Sequence, residues 1–185
     1  MILRMKQIFF AVVLAGMATG CSSLQPRDFA DSTTTFEPDK YFTGHVRSWG
    51  VTENRAGNPK SRFTTESFGK RDAAGDVMIE QTFHFDDGRT QKRTWHVHRI
   101  DAHHYEATAS DVVGKARGEA HGNAFRWEYT IALKPGNPLA NVRLHQWMYL
   151  PEGTNTMFTR VIVKKFGIRI AQVTESFERV SSTTP

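Results

Sequence analysis

Phe125-Arg126-Trp127-Glu128-Tyr129-Thr130-Ile131-Ala132-Leu133 carries its apolar side chains at every second position. Arg126, Glu128 and Thr130 stand between them. In a β-strand successive side chains point to opposite faces, so this spacing collects Phe125, Trp127, Tyr129, Ile131 and Leu133 on one side. A helical turn of about 3.6 residues would scatter the same set around its axis. Aromatic and β-branched residues also suit a pleated, half-buried surface. The stretch is a strand with one apolar face.

The same period recurs on both sides of it. Val77, Ile79, Gln81, Phe83 and Phe85 alternate with Met78, Glu80, Thr82 and His84, and Trp95 and Val97 alternate with His96 and His98. Leu144, Gln146, Met148 and Leu150 oppose Trp147 and Tyr149, and Val161, Val163, Ile168 and Ile170 close the series. Turn residues separate the stripes at Asn54 to Pro59, Ala73 to Asp76, Asp86-Asp87-Gly88, Asp101 to His104, His121-Gly122-Asn123, Pro135 to Pro138, Pro151-Glu152-Gly153 and Phe166-Gly167. Short turns between regular strands predict an all-β chain wound as an antiparallel meander. About 8–10 such strands lose their exposed edges by closing into a single up-and-down β-barrel, with a β-sandwich as the alternative. The barrel domain is expected over residues 39–180, and a frayed tail over residues 181–185. Gly114, Gly118 and Gly122 recur every four residues, but with no strand-turn-helix around them they read as turns or bulges rather than a phosphate loop.

The beginning of the chain reads as an address. Arg4 and Lys6 precede the apolar run Ile8 to Ala15, and Ala18, Thr19 and Gly20 lead to Cys21. That run is too short to cross roughly 30 Å of hydrocarbon as a helix, which takes about 20 residues. Residues 1–20 are therefore expected to be a signal peptide. Met17-Ala18-Thr19-Gly20-Cys21 resembles the lipobox of bacterial lipoproteins, with Ala18 where a leucine is usual. The resemblance implies acylation of Cys21, and Ser22 after it implies sorting to the outer membrane, with the domain on the periplasmic face. Two or more acyl chains hold a protein stably on a bilayer, whereas one does so marginally. Residues 21–38, polar and without periodicity around Ser32-Thr33-Thr34-Thr35, are expected to form a lipidated tether.

Composition narrows the classes. Of 185 residues, 39% are hydrophobic and 23% charged, which excludes collagen-like, disordered and polytopic membrane chains. The single cysteine excludes an internal disulfide and a cysteine-based zinc site. Loss of Arg4 and Lys6 with the signal would reduce 24 basic residues to 22, against 19 acidic, a formal charge of +3. So small an excess does not suggest a nucleic-acid partner; it fits a mixed solvated surface or a mildly basic face beside anionic lipid.

Several groups are candidates for chemistry. His96 and His98 share a strand face, with His103, His104 and His84 nearby in sequence, but no third ligand can be placed, so no metal is expected. Asp111 and Arg126 are candidates for an internal charged pair. Arg126 and Glu128 would bind a carboxylate or phosphate head group if their face were the interior. Gly-x-Ser-x-Gly is absent and Asp86-Asp87 falls in a turn, so no catalytic residue, cofactor or enzymatic activity is expected. A barrel of this size either packs its interior solid or encloses one small ligand. The candidate binding wall is Trp95, Phe125, Arg126, Trp127, Tyr129, Trp147 and Tyr149, although regular alternation cannot put all seven on one face.

The stretches from Tyr105 to Gly114 and Gly122 to Tyr129, with Trp147-Met148-Tyr149-Leu150 and Lys165-Phe166-Gly167-Ile168, resemble a family of proteobacterial lipoproteins catalogued only as a domain of unknown function, DUF3833. The resemblance covers roughly Phe42 to Arg179. It implies a lipocalin-like strand pattern. It carries over no catalytic residue, because the family has no established activity. An acidic residue tends to precede the Trp-Met-Tyr tryptophan in the family; here Gln146 stands there. Family members lying beside genes of fatty-acid or phospholipid modification and photooxidative stress imply a lipid-related envelope role. The expectation is a membrane-anchored carrier of a hydrophobic ligand such as a fatty acid or phospholipid. Its rivals are a solid-barrel interaction protein and, third, a lipid-modifying enzyme.

Overall fold

The structure, a computed structural model, describes residues 23–181. Residues 1–22, with the expected signal and Cys21, and residues 182–185 lie outside the described residues. Ten antiparallel strands follow one another around a closed barrel. They are β1 (Gly44–Asn54), β2 (Pro59–Arg71), β3 (Val77–Phe85), β4 (Thr90–Arg99), β5 (His104–Thr108), β6 (Ala116–His121), β7 (Ala124–Ala132), β8 (Asn141–Tyr149), β9 (Thr156–Lys165) and β10 (Ile168–Arg179). Each strand pairs with its sequence neighbours, and β10 returns to β1 from Val46↔Arg179 to Asn54↔Ala171. Closure leaves no free edge.

Alternation sorts the side chains as period two requires. Phe125, Trp127 and Tyr129 of β7 point inward and are buried, whereas Leu133 lies beyond the strand and is exposed. Val77 and Ile79 of β3, Trp95 and Val97 of β4, and Leu144, Gln146 and Met148 of β8 complete the inward phase. Gly118 on β6 lets the aromatic layer close: a β-carbon there would stand 2.2 Å from the Trp127 ring and 2.3 Å from the Phe125 ring.

One end of the barrel is plugged. The segment expected as a tether does not run free over residues 23–38. A 3₁₀ turn at Pro26–Phe29 packs on β6 and β7, and the chain then enters the barrel end with Phe36 and the short helix α1 (Pro38–Tyr41). Phe36, Tyr41 and Phe42 are buried against Phe125 and Phe177, with ring centroids 5.3–6.1 Å apart along the cluster. The Phe36 N–H donates to the Gly122 carbonyl (2.8 Å), and the Tyr41 hydroxyl donates to the Asn155 carbonyl (2.8 Å). Asp39, 3% exposed, accepts from Arg71 Nη2 (2.8 Å) and the Tyr105 hydroxyl (3.2 Å). Burial and that carboxylate push the Tyr105 phenol up. A β-carbon at Gly69 would lie 1.7 Å from the Phe42 carbonyl oxygen, so the plug sits directly on the β2 backbone. The opposite end carries the hairpins after β1, β3, β5, β7 and β9, and is the mouth.

Candidate ligand-binding site

The interior is not packed solid. A cavity of about 160 Å³ lies above the plug. Trp95, Trp127, Tyr129, Phe63 and Phe83 supply most of its aromatic wall, with Val161 and Val173 across from them. Trp95 meets Trp127 and Tyr129 edge to face at centroid distances of 6.0 and 5.3 Å, a favoured aromatic geometry. These rings converge because β4 and β7 both present odd-numbered residues inward across the barrel.

Polar groups interrupt this wall, and most are tied to one another. The Trp95 indole donates to Gln81 Oε1 (3.0 Å), whose amide donates to Ser67 (3.1 Å). The Tyr129 hydroxyl donates to Gln146 Oε1 (3.1 Å), whose amide donates to Thr159 (3.2 Å). Burial pushes the Tyr129 phenol up to about 12. Such pairing removes the cost of placing amides and hydroxyls away from water.

Two ionisable side chains also face the cavity. Glu175 of β10 is buried and accepts from the Ser48 hydroxyl at 2.6 Å. Burial pushes its carboxyl up to about 7 against the opposing pull of Ser48 and the Arg93 charge. Near neutrality it is therefore divided between its two forms, and the protonated form can offer a hydrogen to a ligand oxygen. The Thr65 hydroxyl, fully buried beside the same carboxyl, has no hydrogen-bond partner. Arg93 of β4 grips Asp111 with Nε at 3.0 and 3.1 Å and Nη2 at 2.6 Å. Its guanidinium lies over Trp95 (5.5 Å) and Phe83 (5.7 Å), so a planar cation caps the aromatic wall.

Of the expected wall, Trp95, Phe125, Trp127 and Tyr129 line the cavity together. Arg126, Trp147 and Tyr149 do not. They occupy the outward phase of β7 and β8, where Arg126 bonds Gln25 and Glu128. Trp147 and Tyr149 stack on each other and are covered by Phe29 of the N-terminal segment. The expected Asp111–Arg126 pair is replaced by Asp111–Arg93. His96 and His98 face outward, and His98 Nδ1 lies 2.7 Å from Asp76. Among the described residues no cluster of three or more metal-ligating side chains occurs, and no histidine lines the cavity.

Glu175 and Arg93 escaped the sequence reading, yet each left a signal. Val173-x-Glu175-x-Phe177 and Arg93-x-Trp95-x-Val97 put one charge into an otherwise apolar phase. A charge in the inward phase of a strand is costly to bury and so marks a site.

Solved structures share this architecture. The chain is similar to the S-type phycobiliprotein lyase CPES from Guillardia theta (TM-score 0.59, 8% identity, covering 78% of this chain and 92% of that one). It is similar to Rv2717c from M. tuberculosis (TM-score 0.58, 12% identity, covering 79% and 99%). It is also similar to a DUF3598 protein of unknown function from Nostoc punctiforme (TM-score 0.54, 17% identity, covering 80% and 50%). At these identities the likeness is one of fold, a lipocalin-like barrel. No curated protein matches the sequence. The sequence pattern of the protein family of unknown function DUF3833 matches residues 15–179, nearly the whole chain, and the protein belongs to that family.

Proposed function

We propose that this chain is an envelope lipoprotein whose barrel takes up the apolar part of a single-chain amphiphile, of which a fatty acid is the simplest. The observation that carries the reading is the cavity of about 160 Å³, walled by aromatic rings and edged by Glu175 and Arg93. An apolar cavity of about 150 Å³ is known to accept benzene. The space therefore suits one ring or part of one chain, and a two-chain phospholipid does not fit inside it. Burial of apolar ligand surface supplies roughly 25 cal/mol per Å² before the costs of association. The protonated form of Glu175 and the Nη1 group of Arg93, whose Nε and Nη2 are held by Asp111, supply hydrogen-bond donors for a carboxyl head. The polar wall groups are mostly bonded to one another, and no histidine stands beside a cavity nucleophile, which favours holding a ligand over transforming it.

Native mass spectrometry of the chain carrying Cys21→Ser, after exposure to a bacterial lipid extract, is expected to show a retained adduct of fatty-acid mass. Val173→Phe, which fills the cavity from its side wall, is expected to weaken that adduct by tenfold or more. A clean apo mass across extracts would overturn the reading. An adduct unchanged by Val173→Phe would place the ligand elsewhere.

The anchor is tested separately. Cys21→Ser is expected to abolish acylation and shift the protein from the membrane pellet to the soluble fraction after a salt wash. Equal retention of wild type and variant in the washed pellet would remove the lipoprotein reading and leave the cavity unaffected.

A further inference from the structure

The mouth of the barrel is not surfaced like its wall. Leu139 (69% exposed), Phe166 (76%) and Ile168 (55%) stand out to solvent on two neighbouring hairpins, joined by Leu133 and Ile170. The hairpins are adjacent because β8 pairs with β9, through Arg143↔Lys164 and Leu144↔Val163. A shallow groove between them is lined by Pro138 on one side and by Phe166 and Gly167 on the other.

The charge carried by these two hairpins themselves has one sign. Residues 131–143 and 164–170 contain Lys134, Arg143, Lys164, Lys165 and Arg169 and no aspartate or glutamate. Arg143 is held by Glu128 of the barrel wall (2.8 Å), whereas the other four have no ion-pair partner among the described residues. The exposed apolar residues at the plugged end lack this setting. Phe68 lies directly opposite Glu80, and Ile100 is followed by Asp101.

Phe166 adds a second observation. It has φ 49 and is followed by Gly167 with φ 79, in a two-residue link between Lys165 and Ile168. Such links favour Asn-Gly, and a bulky residue at positive φ runs against local preference. Here the turn presents an exposed aromatic ring to solvent instead, with the Lys165 ammonium 5.7 Å from its ring centre.

We propose that the mouth docks on an anionic lipid bilayer, with Phe166, Leu139 and Ile168 entering the headgroup–acyl boundary and Lys134, Lys164, Lys165 and Arg169 meeting the negative headgroups. Aromatic and aliphatic tips ringed by lysine and arginine are the composition that binds such an interface. Docking in this way would let an apolar molecule pass between bilayer and barrel without crossing water. The docking does not depend on the anchor or on the cavity being filled, and it is tested without either.

With Cys21 replaced by serine the chain has no other cysteine. A polarity-sensitive dye attached at Phe166→Cys is expected to shift to the blue on vesicles containing phosphatidylglycerol, and the same dye at Phe158→Cys, at the plugged end, is expected not to. Phe166→Asn restores the preferred turn residue, so it should keep or raise the melting temperature while lowering vesicle partition about tenfold or more. Lys164→Glu with Lys165→Glu should lower it by at least about fivefold per cation removed. No shift at position 166, equal shifts at both positions, or a shift that appears without vesicles and grows with protein concentration, as self-association at the mouth would give, each overturns the proposal. Partition unchanged by both Phe166→Asn and the charge reversals overturns it as well.

Discussion

Glu175→Gln is expected to raise the melting temperature at pH 8 by on the order of 10 °C and to leave it almost unchanged at pH 4.5. In the folded chain burial lifts the Glu175 carboxyl from its ordinary 4.5 to about 7. The folded state therefore binds this proton more tightly than the unfolded state does. Below about pH 4.5 both states are protonated and nothing is lost. As pH rises through the window between the two values, the unfolded chain gives up its proton first, and stability falls until the folded-state value is passed. The full difference is about 3 kcal/mol, and a chain of this size moves by about 2–4 °C per kcal/mol. Glutamine keeps the acceptor for Ser48 and has no proton to lose, and its amide has the unpartnered Thr65 hydroxyl beside it. The carboxylates held low by cations, Glu37, Glu66 and Glu128, lose their contribution only on the acid side of the ordinary range, so their effect is separate. Thermal melts from pH 4.5 to pH 8 on both proteins decide the matter. Parallel curves would show that water reaches Glu175 and that the carboxyl is not isolated in the cavity wall.

Phe36→Ala is expected to cost about 3–5 kcal/mol, the range for emptying a buried phenylalanine site. Phe36 is 1% exposed and lies between Tyr41 and Phe125, at centroid distances of 5.5 and 6.1 Å. Its loss leaves a void between the plug and the aromatic layer that walls the cavity. The melting temperature should fall by roughly 10 °C, and the Tyr41 and Phe42 amides should exchange with solvent faster than those of β2 and β3. An unchanged melting temperature would mean that residues 36–42 lie on the barrel without being part of its core. The contrast with Phe166→Asn at the mouth is informative. The same residue type is removed at both ends, but only one of the two rings is packed.

The alternation of Val77 to Phe85, Phe125 to Ile131 and Leu144 to Leu150 is enough to define strands, their turns and a meander. It also separates inward from outward residues within each strand, because the period of two is a property of the local backbone. Part of the cavity wall, Trp95, Phe125, Trp127 and Tyr129, was legible for that reason. Trp147 and Tyr149 show the limit. Read as apolar, they resemble wall residues, yet they occupy the outer phase and are covered by Phe29, more than a hundred positions away in the chain. Arg93 and Glu175 were visible as charges in an apolar phase, but their partners were not. Asp111 reaches Arg93 from a hairpin loop, and Ser48 meets Glu175 only where β10 closes against β1. The chain's local chemistry thus settles strand, turn and the alternation of two faces, but not which face lines the barrel. The plug, the pairing of Arg93 with Asp111 and the raised carboxyl of Glu175 arise only once distant strands exclude water from the same small volume, since desolvation and partner distance are properties of the assembled barrel and not of any stretch within it.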